Sequence, residues 1–314
     1  MGFVRYVGRQ LGYRAVQLAL LLVVIITLLF ALIQFSGNPA VTLVGEGGTA
    51  DDIARVEEFY GLDQPLSVQY VRFLRQVVVL DFGRSYASNR DALGLVIERV
   101  PATLQLAVAS MAMNLVISVA VGAWLGYRPT RPSRRAGLAL VLITQGIPFF
   151  VVGLIAIQIF AVRLDWLPSI GNDGWRSVIL PAFTLASLLF PRTIRLMATN
   201  VEEALTQNYV RTVRSYGASP TSVMIRHVIP NALLGVSALV SVQFGFLLSG
   251  SLVAEAVFSW PGLGLLLVQG VRTQDFPVVQ ASVFVVAILV FVVTAITDVL
   301  LPLIDPRIRT ELER

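Results

Sequence analysis

Residues 15–33 read AVQLALLLVVIITLLFALI, and this stretch decides the class of fold. Fourteen of its residues are Leu, Ile, Val or Phe, and none is charged. A helix rising about 1.5 Å per residue needs about 20 apolar residues to cross about 30 Å of hydrocarbon. At about −0.3 to −0.6 kcal/mol each at the bilayer centre, fourteen such side chains favour insertion by at most about 4 to 8 kcal/mol. Arg5, Arg9 and Arg14 precede the run. A cleaved leader is the rival reading, but the apolar run is long and no clear A-x-A site follows it. The stretch reads as a retained first span.

Working outward, further charge-free stretches run from Val100 to Tyr127, Ala136 to Val162, Ser177 to Pro191, Val228 to Ala254 and Phe276 to Thr297. The fourth is short and holds Pro181 and Pro191, so it borrows turns past Arg192. Six spans follow, in an all-α membrane protein. The composition agrees: of 314 residues, 56% are hydrophobic and 14% charged, and the mean hydropathy is +0.76. A soluble chain carries about 25% charged residues, and a disordered one needs low hydrophobicity with high charge.

The same composition excludes several chemistries. There is no cysteine, so no disulfide, thiolate metal site or cysteine nucleophile. All 24 basic residues are arginine. Without lysine there is no Walker A site and no lysine Schiff base. His227 is the single histidine, which excludes a multi-histidine metal centre. No catalytic residue and no metal ligand set is expected, and the chain is not an ATPase in its own right.

Orientation follows from the arginines of the short loops. With six spans both termini lie on one side. Placing them in the cytoplasm puts fifteen arginines inside and three, Arg163, Arg176 and Arg272, in short outer loops. The other six lie in the long 36–100 segment, which translocates largely regardless of charge. The net charge of +5 reflects cytoplasmic arginines facing anionic lipid, and is no sign of nucleic-acid binding.

Two connections are longer than a connection needs to be. Residues 36–100 hold nine of the nineteen acids. Asp51 or Asp52 is expected to cap a short amphipathic helix to Tyr60, closed by Gly61, and Pro65 suits the first turn of a second helix. This small extracytoplasmic helical subdomain offers a docking surface; the bland alternative is a solvated spacer. The second connection, 199–229, is cytoplasmic. Glu202 and Glu203 near its start, with Arg211 and Arg214 further on, complement a helix dipole. Gly217 breaks that helix, and Ser219-Pro220 restarts one as N-cap and first helical residue. The layout is thus a first span over 1–35, an outer subdomain over 36–100, a five-helix core over 101–305 and a tail over 306–314.

Arg211-Thr212-Val213, then Gly217, then His227-Val228-Ile229-Pro230 fit the spacing of the E-A-A…G…I-x-L-P loop of bacterial ABC importer permeases. Arg-Thr-Val stands in place of Glu-Ala-Ala, and His227 and Ile229 occupy the apolar positions, while Gly217 and Pro230 are kept. The R-T start and Arg226-His227 with Asn231-Ala232-Leu233 resemble the dipeptide/oligopeptide/nickel branch of that family. Tyr60–Pro65, Leu80–Ser85, Arg99–Leu104, Phe258–Gly264, Asp275–Gln280 and Asp305–Arg309 resemble the B-type permease of the same branch, in order along the chain.

The resemblance implies a type I ABC importer permease in a bacterial inner membrane, carrying di- or oligopeptides, with nickel chelate, glutathione or haem as alternative cargoes. It implies a second homologous permease, two ABC ATPase subunits that bind ATP and Mg, and an extracytoplasmic substrate-binding protein. The loop positions Arg211, Thr212, Gly217, Ala218, Ser219, Pro220, Arg226, His227 and Pro230 would then couple to the ATPases. No cofactor is implied for this chain. The residues alone leave two other classes open, an ion-coupled secondary transporter and a membrane scaffold.

Ion-coupled carriers show intramembrane ionisable groups. Asp298 and Glu255 are the candidates here, both placed near an interface, with a gating or packing role expected for Glu255. His227 reads as a packed member of the loop rather than a titrating switch. Ser110, Asn114, Ser118, Gly122 and Gly126 recur every four residues, as do Ser237, Ser241, Gly245 and Ser249. Small residues at this spacing let helices approach closely. Asn114 and Gln243, larger and polar, are the candidates for a wet translocation path. Trp260, Pro261 and Gly262 form either an interfacial aromatic belt or a gate element.

Overall fold

The computed structural model describes residues 2–35, 39–44, 48–60, 63–127, 132–172 and 174–304. Among them the regular structure is helical, and the β-pairing is one isolated bridge between Arg84 and Asp91. α1 (Gly2–Phe35) carries the first apolar stretch. α2 (Pro39–Val44), α3 (Ala50–Tyr60), α4 (Leu66–Val78) and α5 (Ala92–Ile97) follow. The second stretch is α6 (Val100–Tyr127). α7 (Pro132–Thr144) and α8 (Phe149–Ala156) divide the third, and α8 runs on as a π-helical turn, Ile157–Arg163. α9 (Ile179–Ser187) and α10 (Phe190–Thr206) divide the fourth. Then come α11 (Asn208–Ser215), α12 (Pro220–Val223), a π turn at Met224–Val228, α13 (Ile229–Val257), α14 (Leu263–Arg272) and α15 (Phe276–Ile304).

Among the described residues four helices are long and apolar enough to cross a membrane, and the count is six if each bent pair is one span. The bends are 97° between α7 and α8–Arg163, and 65° between α9 and α10. The third stretch was expected as one uninterrupted span. Gln145-Gly146-Ile147-Pro148 interrupts it, because proline lacks an N–H and pushes the preceding residue out of the helical region. The fifth stretch instead gains length, since helix runs without a gap from Pro220 into α13.

The chain forms two compact units. One comprises Phe3–Pro101 and Gly262–Leu289. Its core gathers Ile26, Phe73, Val77, Phe82, Ala92, Val96, Leu263, Val278, Ala281 and Phe284. α4 lies along α1 through Phe30 against Tyr70 and Phe73, a hydrogen bond of 2.8 Å between the Thr27 and Tyr70 hydroxyls, and one of 3.0 Å donated by Gln34 Nε2 to Gln69 Oε1. Asp275, at the foot of α15, accepts the Ser85 hydroxyl at 2.5 Å and the Tyr86 N–H at 3.1 Å.

Two helix starts in this unit differ from expectation. Thr49, not Asp51 or Asp52, opens α3: its hydroxyl accepts the Asp52 N–H at 3.3 Å, and Asp52 returns a carboxylate to the Thr49 N–H at 3.0 Å. Asp52 is thus the reciprocal partner of a capping box. Its carboxyl is held below the ordinary aspartate value by the Thr49 hydroxyl, then the Thr49 N–H, with Arg55 adding a smaller pull. Pro65 sits one place earlier than expected, as the N-cap of α4 with ψ 143°. The expected closure of α3 at Gly61 lies outside the described residues.

The other unit comprises Met1–Gly2, Ala102–Pro261 and Val290–Arg314. Here the small-residue stripe of α6 lies against α10. A Cβ on Gly122 would stand 2.6 Å from Met197 Cβ, and one on Gly126 2.5 Å from the Ala198 carbonyl. Close helix approach is the packing that such stripes permit. α13 meets α10 the same way, where a Cβ on Gly235 would fall 2.4 Å from Asn200 Nδ2. That amide donates to the Ala232 carbonyl at 3.0 Å.

Candidate functional site

Both helix breaks line one cavity of about 520 Å³. Gln145 and Ile147 come from the first break and Leu188 and Leu189 from the second, facing Val242 and Phe246 of α13. Irregular backbone at membrane depth is tolerated only where it is buried in protein or lines a cavity. The breaks therefore have a physical reason to stand together. Arg192 is the one charged side chain of the lining, and aromatic walls come from Phe149, Phe183 and Phe190. No single residue type in the sequence marks this cavity; its signals are Gly146, Pro148 and Pro191.

Gln243 joins the cavity to a polar knot behind it. Its Nε2 donates to Thr193 Oγ1 at 3.1 Å, and Asn114 Nδ2 reaches Thr193 Oγ1 at 3.3 Å and Gln243 Oε1 at 3.4 Å. Ser118 donates to Asn114 Oδ1 at 3.0 Å. The knot ties α6, α10 and α13 together. Asn114 was expected on a wet path; it is fully buried, and its amide is spent on these partners. Gln243 is 3% exposed and lies in the cavity wall. Thr193, which closes the knot, carried no signal in the sequence. Ser249 lies on α13, and its side chain is outside the described residues, as is that of Asp298.

The end of α13 is a second polar centre. Glu255 is fully buried within the protein and accepts the Thr103 hydroxyl at 2.8 Å. Trp260 is also fully buried, so it is no belt residue; its indole N–H donates to the Ala102 carbonyl at 2.9 Å. The turn between them is a Schellman closure, with Ser259 at φ 48° and the Trp260 N–H on the Glu255 carbonyl at 2.9 Å. Pro261 is half-buried. Gly262 is buried as N-cap of α14 with extended backbone, φ −99°, which any residue adopts.

The 199–229 connection has the expected helix, glycine break and helix. α11 ends at Gly217, φ 79°, with the Gly217 N–H on the Arg214 carbonyl at 3.0 Å and the Ala218 N–H on the Val213 carbonyl at 3.4 Å. Ser219 caps the restart by accepting the Ser222 N–H at 3.3 Å, and Pro220 takes the first helical place. Glu202 and Glu203 do not serve this helix. They lie in the last turns of α10, which ends at Gln207, and Glu202 pairs instead with Arg134.

The underside of this lever is apolar: Val210, Val223 and Val228 are buried in one cluster with Met197, Val201 and Val236. Burying each valine favours the docked lever by about 1.5–3 kcal/mol. Its outer side exposes Arg211, Thr212, Arg214, Tyr216, Ile225 and Arg226. Thr212 bonds back to the Asn208 carbonyl at 3.1 Å. Ala218 and His227 are half-buried, and the His227 carbonyl accepts the Asn231 amide at 2.8 Å. Pro230 is exposed in the first turn of α13. The lever thus has a cationic outer side and an apolar base, and its second half continues into α13.

Comparison with known proteins agrees with this geometry. The binding-protein-dependent transport system inner membrane component matches residues 118–310, and the N-terminal component of the same membrane system matches residues 4–107. The glutathione transport system permease protein GsiC of Salmonella paratyphi A is 37% identical over 290 residues, 92% of this chain and 94% of that protein. GsiC of Escherichia coli K12 is 36% identical over 273 residues, 87% and 89% of the two chains. The inward-facing MetNI methionine ABC transporter shares the fold, with TM-score 0.54 at 22% identity over 67% of this chain and 96% of that one. The chain therefore belongs to the binding-protein-dependent transport system inner membrane component family, as a non-catalytic ABC importer permease of the dipeptide/oligopeptide type.

Proposed function

We propose that this permease forms one half of the pore of an ATP-driven importer for small peptides, with glutathione the first cargo to try. The observation that carries the reading is the cavity at which both broken helices meet, coupled through the Asn114–Thr193–Gln243 knot to α13 and so to the exposed lever. α13 starts as the second half of that lever. A displacement of Arg211, Arg214 and Arg226 thus has a helical route to Val242 and Phe246. Glutathione, a tripeptide, is what the GsiC relatives carry by name, and the cavity can hold a peptide of that size against an arginine and aromatic walls.

In this reading the partners are a second homologous permease, two ATPases holding ATP and Mg, and an extracytoplasmic binding protein. The subunit sits as a six-span protein of the inner membrane with both termini in the cytoplasm and residues 36–100 outside. The test is uptake of labelled glutathione, alanyl-alanine and a pentapeptide by proteoliposomes holding the complete complex. ATP-dependent uptake of at least one supports the reading. Uptake that follows an ion gradient without ATP would replace it with a secondary transporter.

A further inference from the structure

We infer that the C-terminal tip of α4, Val78-Val79-Leu80, is a membrane foot that dips into the outer leaflet of the lipid bilayer. The antiparallel pairing of α4 with α1 carries the inference. Gln69 bonds Gln34, just beyond the apolar run 15–33; one turn on, Phe73 stacks on Phe30, inside that run. Tyr70 reaches deeper still, to Thr27. α4 therefore descends along α1 from its polar end into its apolar part. Val77, one further turn along, is buried in the cluster that contains Ile26. At about 1.5 Å per residue, the tip lies about 10 Å further along the helix axis than Phe73.

At that level the chain presents apolar side chains outward. Val78 is 82% exposed, Val79 71% and Leu80 49%. Leu80 adopts φ 58°, the left-handed place that ends α4, with the Asp81 N–H on the Gln76 carbonyl at 2.9 Å. The turn folds the chain back within three residues, so Asp81 is held by its own loop, accepting the Gly83 N–H at 3.0 Å. Arg72 and Arg75 lie one to two turns above the tip and are exposed. Guanidinium groups above, valine and leucine below, is the order in which an interfacial helix meets anionic headgroups and then acyl chains. A water-facing surface gains nothing from three adjacent exposed apolar residues, and the arginines complement lipid phosphate.

The experiment uses the natural absence of cysteine. Val79→Cys is spin-labelled in the full chain, assembled with its complex in phosphatidylethanolamine–phosphatidylglycerol liposomes. Leu20→Cys on α1 and Arg55→Cys on α3 serve as bilayer and water controls. Power saturation with oxygen and with a water-soluble nickel chelate reads the surroundings. Oxygen accessibility at position 79 several-fold above that of the chelate, matching position 20, supports the foot. A chelate-dominated label matching position 55 overturns it, and so does protection from both reagents, which would put a protein partner there. Val78→Cys repeats the reading should the first label perturb the turn. Cargo identity does not enter the result.

Discussion

Trp260 donates its indole N–H to the Ala102 carbonyl at 2.9 Å, and the next residue of α6, Thr103, donates to Glu255 at 2.8 Å. Two successive residues near the start of α6 thus clasp the closing turn of α13. These bonds help to fix the register of the two helices at this end. Trp260→Phe is expected to lower stability by about 1 kcal/mol, for one lost hydrogen bond. Trp260→Ala should cost about 3–5 kcal/mol through the cavity it leaves. Thermal unfolding of the purified complex checks both, and a Trp260→Phe variant as stable as the parent would sink the hydrogen-bond assignment.

The buried knot should respond cooperatively. Asn114→Ala and Gln243→Ala are each expected to cost about 0.6–2 kcal/mol, the range for interhelical polar contacts in membranes. The double variant should cost less than the sum, because each single change already strands the other amide. Additive losses would mean that the two amides act independently.

Val242 faces the cavity and is 73% exposed. Val242→Trp should assemble and melt as the parent does while most ATP-dependent uptake is lost. Normal uptake would remove the cavity from the path.

Gly217 has no atom within 4 Å of a built Cβ, yet its φ is 79°. Gly217→Val therefore clashes with nothing and strains only its own backbone, by about 1–2 kcal/mol. Insertion should be normal and uptake much reduced, with ATP hydrolysis in the complex no longer stimulated by cargo. Unchanged stimulated hydrolysis would argue against the lever.

The start of α3 should be acid-sensitive. Asp52 is held below its ordinary value of 3.8 by Thr49, so its contribution is present above that value and fades as pH falls through the lower folded one. The protection factors of amides 50–55, which remove the intrinsic pH dependence of exchange, should fall below about pH 3.8 and stay flat above it. Thr49→Ala should remove the acid step; a step that survives it would assign the effect elsewhere.

Much of this was legible in the sequence, for identifiable reasons. Apolar run length exposed the spans, and Gly217 with Ser219-Pro220 exposed the lever, because left-handed backbone and helix starts restrict residue type. The cavity was not legible, since it forms where two breaks far apart in sequence meet. Gly146 and Pro148 marked one break only locally. Trp260 reads equally as a belt or a gate residue, because an aromatic at a span end looks the same in sequence whether its N–H finds water or the Ala102 carbonyl. Asn114 reads as a pore residue in the sequence because nothing there shows that Thr193 and Gln243 meet it.

The most direct measurement is mass spectrometry of the tagged chain purified in mild detergent. A second permease together with ATPases bearing Walker motifs is the expected result. A lone chain or a homo-oligomer, reproduced across several mild detergents, would contradict the half-pore assignment.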